Sequence, residues 1–139
     1  FHIAGDGSMM PMVEERLGGL ANTSILKPIF GLSSFMSSFD YLFMPSEFEG
    51  LSMLSMEASM NRLPVIANRC PGLSDTLPED WPLMVDNNSL NAYLHLFRDV
   101  LPTADRKALA DKAAAFAEQN FSIRKMQEEY EKVYKDVSK

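Results

Sequence analysis

The chain has 139 residues, of which 46% are hydrophobic and 23% charged, which suits one folded domain and argues against disorder. Its formal net charge of −6 argues against nucleic acid and anionic membranes as partners, since both attract an excess of Lys and Arg. One cysteine and two histidines exclude an internal disulfide and argue against a metal site built on these residues. No apolar run approaches the roughly 18 residues of a membrane span. We expect a cytoplasmic protein that needs no metal or cofactor.

Short apolar segments alternate with helical patterns, which is typical of βα units around a parallel sheet. The predicted strands are at 1–4, 24–27, 41–44, 64–67 and 82–85. The predicted helices begin near residue 8 and then follow at 33–39, 51–61, 90–100, 104–118 and 123–137. Ser122 is a candidate N-cap for the last helix, along which Glu128–Lys132 and Glu131–Lys135 are spaced to pair. The pattern predicts a single α/β domain.

The loop between the third predicted strand and the next helix has the residues best suited to binding a ligand. In an open α/β sheet, ligands bind beyond the carboxyl ends of the strands. Gly50 lets an anion approach the backbone, and the following helix start offers N–H groups that can hold a phosphate. Glu49 and Glu57 lie on either side of this helix start. If all the residues between them were helical, the two would be about 12 Å apart along the helix axis. A ligand with a sugar, a diphosphate and a ribose matches this layout.

Each of these two carboxylates also has a structural interpretation. Glu57 falls between a Met face and a Leu face of its helix, so we expect its side chain to be buried. A buried carboxylate needs a partner, which is either a backbone or Arg donor or a hydroxyl of a ligand. Glu49, taken alone, is equally a solvated loop acid or a helix cap. The joint arrangement favours the functional interpretation.

The segment PSEFEGLSMLSMEASMNRLPVIA, residues 45–67, resembles the signature of the family-four retaining glycosyltransferases of GT-B architecture. The match consists of a Pro-Ser turn, the Glu49-x7-Glu57 spacing, Gly50, Ala58 and the strand at Pro64-Val65. Similarity extends to FHIAGDG at the start, Asp40, Pro71-Gly72 and the final helix, and so covers nearly the whole chain. It implies a Rossmann-like parallel sheet with flanking helices, the C-terminal donor-binding half of a GT-B enzyme.

The resemblance implies a role for each matched residue. Glu49 would be the catalytic residue that contacts hydroxyls of the transferred sugar, and Glu57 would bind the ribose hydroxyls. The diphosphate would face the backbone N–H groups of Gly50, Leu51 and Ser52. On a looser match, the nucleobase would be bordered by Pro28, Ile29 and Phe30.

Several positions depart from the family pattern. Ser52 replaces a Gly, and Arg62 replaces a Gly in a turn before the strand. Ser74 and Asp75 stand where the family often has Glu. The family's diphosphate-binding Arg and Lys would lie upstream of Phe1. Two cations of this chain match nothing in the family, and we expect both to be solvated: Lys27 and Arg69.

The resemblance implies retaining transfer from a nucleotide-diphosphate sugar to a growing glycan or a lipid, as in polysaccharide biosynthesis. Because the chain opens on Phe1 inside a predicted strand, we expect a fragment, inactive alone, whose acceptor binds a missing N-terminal domain. The helix at about 122–137 would cross towards that domain, and its apolar stripe predicts a tendency to dimerise. The sequence has no Asp-x-Asp pair beside a strand end, so it contains no motif of this kind that would predict a metal site.

Two alternatives remain beside this interpretation, and a third fails on its motif. A nucleotide-sugar epimerase of GT-B architecture would share the same loop. A non-catalytic module that binds a sugar nucleotide would explain the absence of the basic residues. A dinucleotide-binding domain of an oxidoreductase would need Gly-x-Gly-x-x-Gly after the first strand, whereas here Gly5-Asp6-Gly7 is followed by Ser8, Met9 and Met10.

Overall fold

A computed structural model describes residues 1–138 of the chain, which divide into two compact units. The first unit, Phe1–Ser34, contains β1 (His2–Ala4), α1 (Met10–Leu17) and β2 (Ser24–Leu26). The two strands pair in parallel, with His2 opposite Ser24 and Ala4 opposite Leu26. This βαβ arrangement confirms the first two predicted strands and the helix between them.

The second unit begins at Phe35 and contains a three-stranded parallel sheet in the order β3-β4-β5. Its strands are β3 (Leu42–Met44), β4 (Val65–Asn68) and β5 (Met84–Val85). Its helices are α2 (Met53–Met60), α3 (Leu90–His95), α4 (Arg106–Phe121) and α5 (Ile123–Val137). A π-helical turn, Leu96–Val100, and a 3-10 turn, Leu101–Thr103, extend α3. The α/β class and the parallel strands are confirmed, while the single domain stays a prediction.

The predicted helix at 33–39 is wrong. Short 3-10 turns occur there instead, at Leu32–Ser34 and Met36–Ser38. Residues 33–39 include four serines, whose hydroxyls compete for backbone hydrogen bonds. A segment of this length also gains little from helix propagation, because the first turn is costly to nucleate.

The core of the second unit is built around β4. All four of its residues are buried, as expected for a parallel strand covered on both faces. Trp81 is only 2% exposed, and its indole Nε1 donates a hydrogen bond of 2.7 Å to the carbonyl of Val65. β4 thus forms the centre of the core, and it provides the carbonyl that accepts a hydrogen bond from the buried indole of Trp81.

Helix α2 packs against α4 through small residues. It buries Ser55, Ala58 and Ser59, each 0% exposed, together with Met56. The buried positions of α4 are also mostly small: Leu109, Ala110, Ala113 and Ala117. Small side chains on both helices let the backbones approach closely. Of the predicted Met face only Met56 is buried, while Met53 and Met60 are 62% and 46% exposed, so most of the buried surface of α2 comes from small residues.

Arg62 follows α2 with φ 58°, in the left-handed region that favours Gly. This supports the expectation that the residue marks a turn. Its guanidinium pairs with Asp111 on α4, so the side chain ties the turn to the neighbouring helix. Both side chains are about half exposed or more, and such pairs contribute little to stability.

Asp105 caps the N-terminus of α4 by accepting a hydrogen bond of 3.0 Å from the backbone N–H of Ala108. We expect Asp105→Ala to lower the free energy of unfolding by about 1 kcal/mol, the usual cost of losing an N-cap. Urea denaturation measures this, with Asp105→Asn as the control that keeps a capping oxygen. Equal losses for both variants would contradict the capping role.

Helix α5 begins where predicted, with the Ser122 hydroxyl accepting a hydrogen bond from the N–H of Lys125. The predicted pair of Glu131 and Lys135 is present at 3.6 Å. The predicted pair of Glu128 and Lys132 is wrong, because Lys132 lies 2.8 Å from Glu129 instead. Hydrogen bonds from Lys132 and then Lys125 lower the pKa of Glu129 to about 2.

The apolar stripe of α5 is exposed along its whole length. None of the helix's residues is buried, and its large apolar side chains are each more than half exposed: Ile123, Met126, Tyr130, Val133, Tyr134 and Val137. The stripe is thus available to another surface, and dimerisation through it stays a prediction.

Candidate functional site

The loop after β3 connects the carboxyl end of a strand to the start of a helix. β3 ends at Met44, and α2 begins at Met53. Ser52 is the N-cap, its Oγ accepting a hydrogen bond of 3.3 Å from the N–H of Ser55. The strand, loop and helix therefore take the predicted order, with a helix N-terminus beside the carboxyl end of β3.

A second loop, which follows β4, holds this one in place. The N–H of Glu49 donates to the carbonyl of Pro71 at 3.4 Å, and the N–H of Ser52 donates to the carbonyl of Gly72 at 3.1 Å. Gly72 has φ +77°, and a Cβ there would lie 2.2 Å from the Gly50 oxygen and 2.3 Å from the Glu49 oxygen. Gly72 is therefore the residue that allows the two loops to touch.

These contacts correct one part of the expected phosphate site. The N–H of Ser52 is engaged by Gly72 and does not point freely at a ligand. Within residues 1–138, the N–H groups of Gly50 and Leu51 have no hydrogen-bond partner in the protein. Both residues are exposed, so two of the three expected donors are accessible.

Glu49 is half-buried and its carboxylate is oriented by a neighbour in the same loop. The hydroxyl of Ser46 donates to Oε1 of Glu49 at 2.7 Å. Cys70 is close by, and burial, followed by the negative charge of Glu49, raises the pKa of its thiol. The thiol therefore stays protonated near neutral pH and adds no second charge beside the carboxylate.

The prediction that Glu57 is buried is wrong. Its side chain is exposed, because α2 turns its small residues towards the core. No hydrogen bond or ion pair of the Glu57 carboxylate is found among residues 1–138. Exposure removes the need for a partner inside the protein and leaves an accessible carboxylate on α2.

The loop expected to border a nucleobase belongs to the first unit and follows β2. Pro28 is exposed, Ile29 is half-buried and Phe30 is 94% exposed. Lys27 is exposed as expected. Arg69, in the second unit, is about half exposed and pairs with Asp86 at 2.7 Å.

Sequence reasoning missed two asparagines that contact the loop. Asn68, at the end of β4, donates from Nδ2 to the carbonyl of Ser46 at 3.1 Å. Asn88 donates from Nδ2 to the carbonyl of Pro45 at 2.9 Å. Asn68 could have been identified from the sequence as a polar side chain directly after the predicted strand at 64–67, because ligands bind beyond the carboxyl ends of parallel strands.

Asp75 has a structural contact in this region. Its carboxylate accepts a hydrogen bond of 3.1 Å from the N–H of Gly72 and so supports the second loop.

In the part of the chain that the structure describes, no group of three or more His, Cys, Asp or Glu side chains could hold a metal ion. No helix between residues 1 and 138 is long and apolar enough to cross a bilayer.

Known proteins resemble this chain in sequence and in fold. The sequence profile of the family "Glycosyl transferases group 1" matches residues 1–119. An uncharacterised glycosyltransferase of Methanocaldococcus jannaschii is 27% identical over 144 residues, which cover 99% of this chain and 41% of that protein. The sulfoquinovosyl transferase of Arabidopsis thaliana is 45% identical over 49 residues, which cover 35% of this chain and 10% of that protein.

Solved structures of low sequence identity share the fold. The GtfA/B complex superposes with a TM-score of 0.80 at 20% identity, over 98% of this chain and 29% of that one. Sucrose-phosphate synthase from Thermosynechococcus elongatus gives a TM-score of 0.79 at 16% identity, over 98% of this chain and 38% of that one. The chain thus spans less than half the length of each of these four proteins.

The parallel strands and the flanking helices are of GT-B type. The chain belongs to the family of glycosyl transferases group 1.

Proposed function

We propose that the chain is the donor-binding half of a retaining glycosyltransferase whose donor is a nucleotide-diphosphate sugar. The observation that carries the proposal is the position of Glu49, with its oriented carboxylate, beside the unpaired N–H groups of Gly50 and Leu51. A carboxylate suits sugar hydroxyls, and N–H groups at a helix start suit a diphosphate. Family membership supports the assignment.

In the proposed complex, each matched residue binds one part of the donor. The diphosphate lies against the backbone of Gly50 and Leu51, and Glu49 accepts hydrogen bonds from hydroxyls of the sugar. Glu57 accepts hydrogen bonds from the ribose hydroxyls, which its exposed side chain allows.

The proposed reaction exchanges one bond at the anomeric carbon. The bond from this carbon to the diphosphate oxygen breaks, and the acceptor oxygen bonds to the carbon with the original configuration. The acceptor's proton leaves with the nucleoside diphosphate. Glu49 stabilises the positive charge that develops on the sugar.

We propose further that the acceptor, a glycan or a lipid, binds outside this chain, in keeping with the share of its relatives that the chain spans. By itself, the chain is proposed to be inactive and to bind a nucleoside diphosphate weakly. A cytoplasmic location and the absence of a metal requirement are further parts of the proposal, since they rest on composition and motif alone.

The test uses the complete protein and a panel of nucleotide-diphosphate sugars. Release of nucleoside diphosphate with a product of retained anomeric configuration, read by NMR, is the expected result. Inverted configuration would overturn the mechanism. Conversion of a donor into its epimer would identify the epimerase, and donor binding without consumption would identify a binding module.

Glu57→Gln in the complete protein is expected to weaken donor binding by about 1.5–3 kcal/mol, the usual range for a hydrogen bond to a charged group. Stability should be unchanged, because Glu57 is exposed and its carboxylate has no partner among residues 1–138. Calorimetric titration of donor and thermal unfolding measure the two quantities. Glu118→Gln, at an exposed position on α4, is the matched control. Normal donor affinity in Glu57→Gln would remove Glu57 from the site.

A further inference from the structure

The carboxylate of Glu49 has one side-chain partner in the structure. Ser46 Oγ donates to Glu49 Oε1 at 2.7 Å, in a partly buried position. Among the described residues, no other side chain hydrogen-bonds this carboxylate. The contact occupies one oxygen from the protein side and leaves Oε2 for a ligand.

Ser46 is itself fixed by contacts to other parts of the unit. Its carbonyl accepts from Asn68, which is 6% exposed at the end of β4. The preceding carbonyl, of Pro45, accepts from Asn88. The Asn88 Oδ1 in turn accepts a hydrogen bond of 2.9 Å from the hydroxyl of Tyr93, on α3. The Pro45-Ser46 turn is thus held at two consecutive carbonyls by side chains from two separate segments.

The remainder of the loop gives Glu49 little support. Its neighbours Glu47 and Gly50 are exposed, and Phe48 is 75% exposed. A glutamate side chain in such a loop samples several rotamers, and fixing it on binding costs free energy. A hydroxyl on a fixed turn reduces that cost by holding the carboxylate before the ligand arrives.

We propose that Ser46 is a positioning residue that orients the Glu49 carboxylate towards the donor sugar, with Asn68 and Asn88 fixing the turn that carries it. This inference rests on the proposed function of Glu49. Ser46 acts through Glu49 and needs no contact of its own with the donor. Its effect is therefore expected in turnover rather than in donor affinity, because a misoriented carboxylate stabilises the transition state poorly.

The experiment compares Ser46→Ala and Ser46→Thr in the complete protein. Ser46→Ala is expected to lower kcat about tenfold while KM changes less than about twofold, and Ser46→Thr, which keeps the hydroxyl, is expected to restore most of the loss. Ser122→Ala is the matched control, since it removes one hydroxyl that caps α5 and should leave kcat unchanged. Asn88→Ala, expected to lower kcat about threefold, serves as a second variant that leaves Ser46 intact.

A double-mutant cycle distinguishes positioning from a general effect on the fold. In a Glu49→Ala background, Ser46→Ala should lower kcat no further, because the group through which it acts is gone. Full additivity of the two losses would overturn the inference, and so would unchanged kcat in Ser46→Ala when Glu49→Ala is impaired. Unchanged kcat in Glu49→Ala, or no turnover with any donor, would instead overturn the proposed function, and the inference with it.

Discussion

Glu49→Ala in the complete protein is expected to lower kcat about 100- to 1000-fold, with a smaller change in KM. The reason is that, in the proposed function, the carboxylate of Glu49 contacts the donor sugar and stabilises charge that develops only in the transition state, and the removal of one such group commonly costs this much. The measurement is steady-state release of nucleoside diphosphate across donor concentrations. Fold stability should change little, because Glu49 is only half-buried and lies in a loop.

Glu47 provides the matched control for this prediction. It is an exposed glutamate in the same loop, and no hydrogen bond or ion pair of its carboxylate is found among residues 1–138. Glu47→Ala should therefore leave both kcat and KM unchanged. Equal losses in the two variants would mean that the loop's charge, rather than the position of Glu49, determines activity. Full activity in Glu49→Ala would remove Glu49 from the catalytic site.

The largest expected loss of stability is that of Gly72→Ala, about 2–5 kcal/mol. Two costs combine: a left-handed φ in a residue with a side chain costs roughly 1–2 kcal/mol, and forcing extra volume into a packed contact costs about 1–3 kcal/mol. Here the added Cβ would lie 2.2 and 2.3 Å from the backbone oxygens of Gly50 and Glu49. Urea denaturation of the variant and the parent protein measures the loss.

The same substitution should also displace the loop after β3, because the new methyl group would clash with the backbone of residues 49 and 50. We therefore expect the folded fraction of Gly72→Ala to bind donor poorly. Gly50→Ala is the control: a Cβ there meets no atom within 4 Å, so its free energy of unfolding should change by less than about 1 kcal/mol. Parental stability in Gly72→Ala would show that the two loops separate at little cost.

Local sequence patterns predicted the elements that carry the site. The apolar run at 64–67 predicted a strand, and β4 at Val65–Asn68 confirms it, whereas the continuous apolar run at 41–44 predicted a buried strand although Phe43 of β3 is 40% exposed. The Pro45–Ser52 segment was predicted as a strand-to-helix connection, and the capped start of α2 confirms it. Ser122 was predicted to cap α5 and does so. Each of these features depends on neighbours within a few residues, which is why periodicity and capping rules could find them.

The orientation of α2 was decided by tertiary packing. The sequence offered Met and Leu faces as candidates for the core, but Ser55, Ala58 and Ser59 are the residues with no exposure. Hydrophobic periodicity assigns a face when large side chains fill the interface. It fails where two helices approach through small residues, as α2 and α4 do. Glu57 is exposed for the same reason.

The architecture around Glu49 was likewise decided by contacts between distant segments. Gly72 meets Gly50, Asn68 meets Ser46 and Asn88 meets Pro45, and each pair is separated by about twenty residues or more in the chain. The sequence by itself determined that a carboxylate, a glycine and a helix start follow one another at the end of a strand. Only the tertiary structure decided which backbone N–H groups stay unpaired and which side chains hold the carbonyls of Pro45 and Ser46, because hydrogen bonds are directional and short, and chain spacing does not set the distance between two loops.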